Sequence, residues 1–183
     1  ARLSQEANLK AEGIELNLQA AKSAREKGLI VYESDLNQVA EEKKGNYDAV
    51  CSFQVLEHVP DPLAFLGTMI KLIKPQGKLI VSVPNAESFL QHQYNLLDMP
   101  PHHLTQWSEE TFKLLNSYLP IKIEKILREP LAPYHIAGYL QSYSNYYRSL
   151  SPLGNFVFNS YTLPIYKSLL NLGLRKLLTG QTL

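Results

Sequence analysis

Along residues 1–129 the chain alternates between helical and strand-like patterns, and this alternation specifies an α/β layered fold. Residues 1–9 (ARLSQEANL) read as the end of a helix and 11–16 (AEGIEL) as a short strand. Residues 18–27 (LQAAKSAREK) are rich in strong helix formers, with Asn17 placed to cap the first turn and Gly28 at the stop. LIVYE (29–33) is a strand of β-branched and aromatic residues, followed by a short helix over 37–44. YDAVCSF (47–53) and KLIVSV (78–83) are mostly apolar, as expected of strands buried on both faces. Between them, Asp61-Pro62 opens a helix that runs to about residue 73, where KPQG (74–77) supplies a turn. Ser108 starts a helix reaching about Tyr118, and IKIEKIL (121–127) alternates like a half-exposed strand.

After Pro130 the texture changes. Tyr139, Tyr143 and Tyr147 recur at a spacing of four, which sets them on one helical face. A second helical stretch follows Pro152, with interruptions near Pro164 and Gly173. The expected organisation is one core over 1–130 and a helical lid or extension of the same domain over 131–183.

At 183 residues the chain is long enough to bury one core. Eighteen Lys and Arg nearly cancel seventeen Asp and Glu, so there is no basic field to attract nucleic acid. Cys51 is the single cysteine, which excludes an intramolecular disulfide and a Cys-rich zinc site and is compatible with a cytoplasmic setting. Neither a leader pattern nor an uninterrupted apolar run of ~18 residues is present in these residues.

Open, doubly wound sheets bind ligands at the carboxyl ends of their parallel strands. The residues there are Glu15, then Ser34-Asp35-Leu36, then Gln54 to His58, then Pro84-Asn85. A strand-end carboxylate at Glu15 can accept both hydroxyls of a ribose, or be simply a solvated acid. Asp35 can accept the amine of an adenine while the Leu36 amide donates to the ring; it can also cap the following helix, and the two roles are compatible.

GIELN (13–17), ESDL (33–36), YDAVCSFQVLEHVPDP (47–62) and KPQGKLIVSVP (74–84) follow one another at the spacing of class I S-adenosylmethionine-dependent methyltransferases, which the chain resembles over roughly half its length. The resemblance implies a Rossmann-like, doubly wound, mostly parallel sheet with a C-terminal helical extension. It implies S-adenosylmethionine as cofactor and S-adenosylhomocysteine as product. It assigns Glu15 to the ribose, Asp35 and Leu36 to the adenine, and Phe53 and Gln54 to the methionine end. It also implies a strand and glycine-rich loop ahead of the helix at residue 1, and a last strand of which TGQTL (179–183) is the start; the natural protein is expected to be longer at both ends. A chain of these residues alone is expected to form two half-sheets.

PPHHLTQWS (100–108) places two histidines and a tryptophan in a loop at the edge that faces substrate. The resemblance sets a PHH–W–S motif beside the transferred methyl group, with His58 and His103 as candidate proton acceptors, since a neutral imidazole titrates near operating pH. The plainer alternative has His58 capping a turn and His102 bonding a backbone carbonyl. A metal-binding pattern of some related enzymes, Glu-x-x-Glu-His with a later His and Trp, is matched by Glu57, His58, His103 and Trp107, but its first acid is Gln54 here, a poorer ligand. The reading adopted from sequence has no metal.

The expected function is methyl transfer to a small-molecule acceptor through oxygen, nitrogen or carbon. The alternative is a catalytically inactive interaction protein of the same fold; a nucleotide-binding oxidoreductase is disfavoured by the EHVPDP segment. The tyrosines of 134–147 either wall an acceptor pocket or pack a helix. The apolar 152–178 segment suits a peripheral membrane contact or lipid-like substrate, a lid over the cleft, or a homodimer contact, and the sequence leaves these open.

Overall fold

In the computed structural model of the protein, the described residues are 9–92 and 96–183. Apart from Leu9, the helix end expected over 1–9 lies outside them. The chain divides into two compact units, one drawn from Ala1–Cys51 with Leu63–Ile80 and the other from Ser52–Pro62 with Val81–Leu183.

In the first unit, β1 (Glu12–Ile14) pairs in parallel with β2 (Ile30–Tyr32), in the register Ile14 to Tyr32. Helix α1 (Leu18–Glu26) connects them. Asn17 caps α1 by accepting from the amides of Gln19 and Ala20, and Gly28 ends it at a φ of 77°, a left-handed position that favours glycine. Helix α2 (Leu36–Glu42) is capped by Asp35. Its Val39 and Ala40 join Leu72 in a small buried cluster with Tyr32, Leu36, Tyr47 and Val50 packed against it. One carboxylate oxygen of Glu12 accepts from both Tyr32 (2.8 Å) and Tyr47 (2.6 Å), so the charge on β1 is held by two phenols.

β3 (Tyr47–Phe53) pairs with β4 (Ile73–Ser82), and helix α3 (Pro62–Leu72) joins them. Residue numbers rise together along the pair: the Asp48 carbonyl oxygen lies 2.9 Å from where a Cβ on Gly77 would sit, and the Gln54 amide donates to the Ser82 carbonyl at 2.8 Å. The two strands are therefore parallel. The KPQG turn survives inside the longer β4, marked by a φ of 68° at Gln76. The sheets β1–β2 and β3–β4 are separate two-stranded sheets, as the sequence led us to expect.

Four expectations are corrected. β3 is not buried on both faces: Asp48, Ala49, Cys51 and Phe53 are exposed, because β3 has β4 as its one strand neighbour among the described residues. β4 likewise alternates, with Ile80 exposed. Residues 121–127 form no strand; their alternation persists in part, but they find no ladder partner. Pro164 interrupts nothing: it sits in the first turn of its helix, where a missing N–H costs little, and the break falls at 158–161.

The second unit holds α4 (Glu109–Leu114), capped by Ser108, then α5 (Ile136–Leu150), α6 (Pro152–Val157) and α7 (Thr162–Asn171). Phe89, Leu131, Ile136, Leu140 and Leu170 form its core, and Tyr139, Tyr143 and Tyr166 pack against it. The C-terminal residues run antiparallel beside two segments: Val83 and Leu183 exchange both backbone hydrogen bonds, and Thr179 and Thr182 bridge Pro130 and Pro84. Strand character at 179–183 is thus observed, in the form of bridges.

Candidate active site

Glu57 anchors the candidate site in the second unit. Leu56–His58 form a single 3-10 turn after β3, which turns the Glu57 side chain inward until it is 1% exposed. Neither carboxylate oxygen has a hydrogen-bond partner. The Glu57 carbonyl accepts from the amides of Leu104 (2.8 Å) and Thr105 (3.2 Å), so the histidine-bearing loop is laid directly onto the turn. Trp107 is buried and its indole N–H donates to the Thr105 hydroxyl at 2.9 Å, fixing the loop's far end.

This pinning brings His58 and His103 together, with ring centroids 4.9 Å apart and nearly edge to face. His58 Nδ1 lies 2.6 Å from the His102 carbonyl oxygen. A carbonyl only accepts, so Nδ1 carries the proton, and in the neutral ring Nε2 is left with a free lone pair. That nitrogen lies 3.8 Å from Glu57 Oε1. His103 Nδ1 lies 3.3 Å from Asp98 Oδ1. One ligand atom from each of Glu57, His58 and His103 falls within 4.8 Å of the others. The plainer alternative has His58 capping a turn and His102 bonding a carbonyl; the bond observed is a different one, from the His58 ring to the backbone carbonyl of His102.

His103 also lines a cleft of about 610 Å3, together with Gln54, Asn85, Trp107, Gln181 and Thr182. Gln54 holds a left-handed φ of 55°, strained for a residue with a side chain, and its side-chain amide donates to Ser82 Oγ at 3.3 Å. Phe53, beside it, is exposed. Among the described residues no tyrosine lines this cleft; Tyr139 and Tyr143 are committed to the core, the packing alternative of the sequence reading. Burial pushes the Tyr139 phenol up to about 12, assisted by Tyr143 beside it.

In the first unit, Glu15 follows β1 and Asp35 lies just beyond β2. The Glu15 amide extends the ladder to the Tyr32 carbonyl, and its Oε1 accepts from the Asn17 amide at 2.9 Å. Asp35 Oδ1 accepts from the amides of Asn37 and Gln38, which is the cap read from sequence. Leu36, the next residue, is half-buried. The parallel pairing therefore sets both acids at carboxyl strand ends.

Sequence reasoning placed Asn85 at a strand end but missed Asp98 and Gln181 as site residues. Asp98 carries no local motif, and Gln181 reaches the cleft only because the C-terminal residues fold back beside Pro84.

A family model described as a methyltransferase domain matches residues 1–117. Among curated proteins, the ubiquinone biosynthesis O-methyltransferases of Xanthomonas oryzae pv. oryzae and Xanthomonas campestris pv. campestris are 44% identical over 50 residues, which is 27% of this chain. The match spans about a fifth (21%) of the length of those relatives. Among solved structures, a SAM-dependent methyltransferase from Archaeoglobus fulgidus superposes with a TM-score of 0.61 at 19% identity, covering 99% of this chain and 76% of that one. A cyclopropane synthase from Mycobacterium tuberculosis gives 0.54 at 14% identity, covering 96% and 67%. The chain belongs to the methyltransferase domain family and has the fold of S-adenosylmethionine-dependent methyltransferases, for which S-adenosylmethionine is the cofactor.

Proposed function

We propose that the protein transfers a methyl group from S-adenosylmethionine to a small-molecule acceptor, at a hydroxyl oxygen. The observation that carries the acceptor chemistry is His58, whose Nδ1 is committed to a carbonyl and whose Nε2 keeps its lone pair. The partial relatives named for O-methyl transfer support oxygen over nitrogen or carbon.

The donor set suits the cofactor. Glu15 is a half-buried carboxylate whose orientation is fixed by the Asn17 amide, and a carboxylate is acceptor-only, which matches two vicinal hydroxyls. Asp35 and the Leu36 amide would hold the adenine, and Phe53 with Gln54 the methionine end. When bound, the sulfonium supplies an already strong electrophile, so the protein's part is alignment and proton handling. His58 Nε2 accepts the proton of the acceptor hydroxyl, and the His102 carbonyl stabilises the imidazolium through Nδ1–H. Asp98 orients His103 at the cleft wall. Asn85 and Gln181 offer neutral amides that orient the acceptor without charging the cleft.

Methyl transfer to phenolic acceptors, followed with labelled S-adenosylmethionine, tests this reading. Loss of the base in His58→Ala lowers kcat by roughly 100-fold or more with S-adenosylhomocysteine affinity unchanged. An unaltered kcat would remove His58 from the chemistry.

A second reading is favoured by the unpartnered, buried carboxylate of Glu57. Glu57, His58 and His103 would hold a divalent cation: a carboxylate and two imidazoles form a donor set seen for such ions, and the His58 Nδ1–H bond to a carbonyl is the usual outer-shell support of a ligating histidine. The ion would polarise an acceptor oxygen.

A further inference from the structure

Charge is unevenly shared along the chain. The three stretches that build the candidate site, 52–62, 81–108 and 179–183, hold four acids, Glu57, Asp61, Glu87 and Asp98, and no Lys or Arg. All eighteen Lys and Arg lie elsewhere. Arg128 approaches Glu87 at 4.0 Å, but its guanidinium is held closer by Glu109 at 2.6 Å. Among the described residues no Lys or Arg lines the 610 Å3 cleft.

Two of the four acids stand at the reacting end. Glu57 is 1% exposed, has no hydrogen-bond partner on either oxygen, and lies 3.8 Å from the His58 nitrogen that accepts the proton. Asp98 lines the cleft itself, 3.3 Å from His103 Nδ1. The amides of Asn85, Gln106 and Gln181 supply neutral polar lining, and Leu97 and Met99 supply apolar lining. A carboxylate or phosphate on an acceptor would enter with no guanidinium or ammonium to pair with, and Asp98 would repel it. Repulsion of the wrong ligand sets specificity as effectively as attraction of the right one.

We propose that the cleft selects its acceptor by charge. It admits hydroxylated acceptors that are uncharged or cationic, it excludes those bearing a carboxylate or phosphate, and Asp98 sets this preference. The selection rests on the hydroxyl-methylation reading above.

The test uses the full-length protein in EDTA, labelled S-adenosylmethionine, and phenolic acceptors in near-isosteric pairs: para-hydroxybenzoate with para-hydroxybenzamide, and protocatechuate with its primary amide. The amide is expected to exceed its free acid in kcat/KM by at least ~10-fold at low ionic strength, and the gap narrows as salt is added. Asp98→Asn slows both members by the same loss of His103 orientation, which cancels in the ratio, and the ratio falls to about threefold or less. Leu97→Lys places an ammonium on the cleft wall at a 63% exposed position, and raises the free acid relative to the amide by roughly fivefold or more. Free acids used as well as their amides, or a ratio that neither variant moves, would overturn the proposal alone. Methylation of neither member of any pair, with S-adenosylhomocysteine still bound, would overturn the hydroxyl-methylation reading and the charge selection with it.

Discussion

Replacing Glu57 by Gln removes a buried charge and leaves the side-chain volume unchanged. Both carboxylate oxygens lack a donor, and His58 Nε2 at 3.8 Å is beyond hydrogen-bond distance. An unsatisfied buried polar group costs about 1–3 kcal/mol and a charged one more. Exchanging carboxylate for amide in a chelated sample therefore stabilises the fold by about 1–3 kcal/mol. For a domain of this size that is a rise in Tm of about 2–12 °C. Mn2+ or Zn2+ reverses the comparison. An ion at roughly 100 times its Kd adds about 2.7 kcal/mol to the native protein, or about 5–11 °C, and adds little to Glu57→Gln, which has lost its acid ligand. Differential scanning calorimetry in EDTA and then with each ion reads both effects. A loss of stability of Glu57→Gln in EDTA would show that the carboxylate has an internal donor. Equal ion-induced shifts in the two proteins would dismiss Glu57 as a ligand.

Leu131 is fully buried at the centre of the second unit's core, so Leu131→Ala costs about 2–5 kcal/mol in denaturant unfolding; a loss under about 1 kcal/mol would contradict its central packing. In the first unit, hydrogen bonds from Tyr47 and then Tyr32 hold the Glu12 carboxyl below its usual range, a contribution present above the unfolded pKa and lost as pH falls through the lowered folded value. Glu12→Gln therefore flattens the acid limb of a Tm-against-pH curve, and an unchanged limb would count against the pairing. Burial, then the Glu12 hydrogen bond, pushes Tyr47 upward, so its contribution is present below the unfolded tyrosine pKa of ~10 and fades as pH rises beyond it. In a spectrophotometric titration Tyr139 ionises late, near 12, and Tyr139→Phe removes a step there, not one near 10.

Local chemistry was legible in the sequence. Asn17, Asp35 and Ser108 each cap the helix they precede, because capping is settled within three residues. Tyr139, Tyr143 and Tyr147 share a face because helical spacing alone puts them there, with centroids of 4.7 and 6.1 Å between successive rings. Properties that depend on distant partners were not legible. IKIEKIL has strand alternation but no neighbour to bond, and YDAVCSF has the composition of a buried strand but exposed alternate residues. His58 and His103 were singled out by residue type and motif. Their meeting depends on the Glu57 carbonyl gripping the loop 47 residues further on, which no local pattern encodes. Gln181 in the cleft is likewise a product of chain return, whereas Asp98 meets His103 within one loop that carries no recognisable pattern.

The central claim is that Glu15, at the carboxyl end of β1, receives the ribose of the cofactor. Isothermal titration of the full-length protein with S-adenosylhomocysteine tests it, comparing the native chain with Glu15→Ala at matched melting temperature. Loss of a charge-assisted pair of hydrogen bonds predicts a Kd weaker by at least ~10-fold, since each such bond contributes about 1.5–3 kcal/mol. Native affinity in Glu15→Ala would contradict the assignment, and no binding by the native protein would contradict the methyltransferase reading itself.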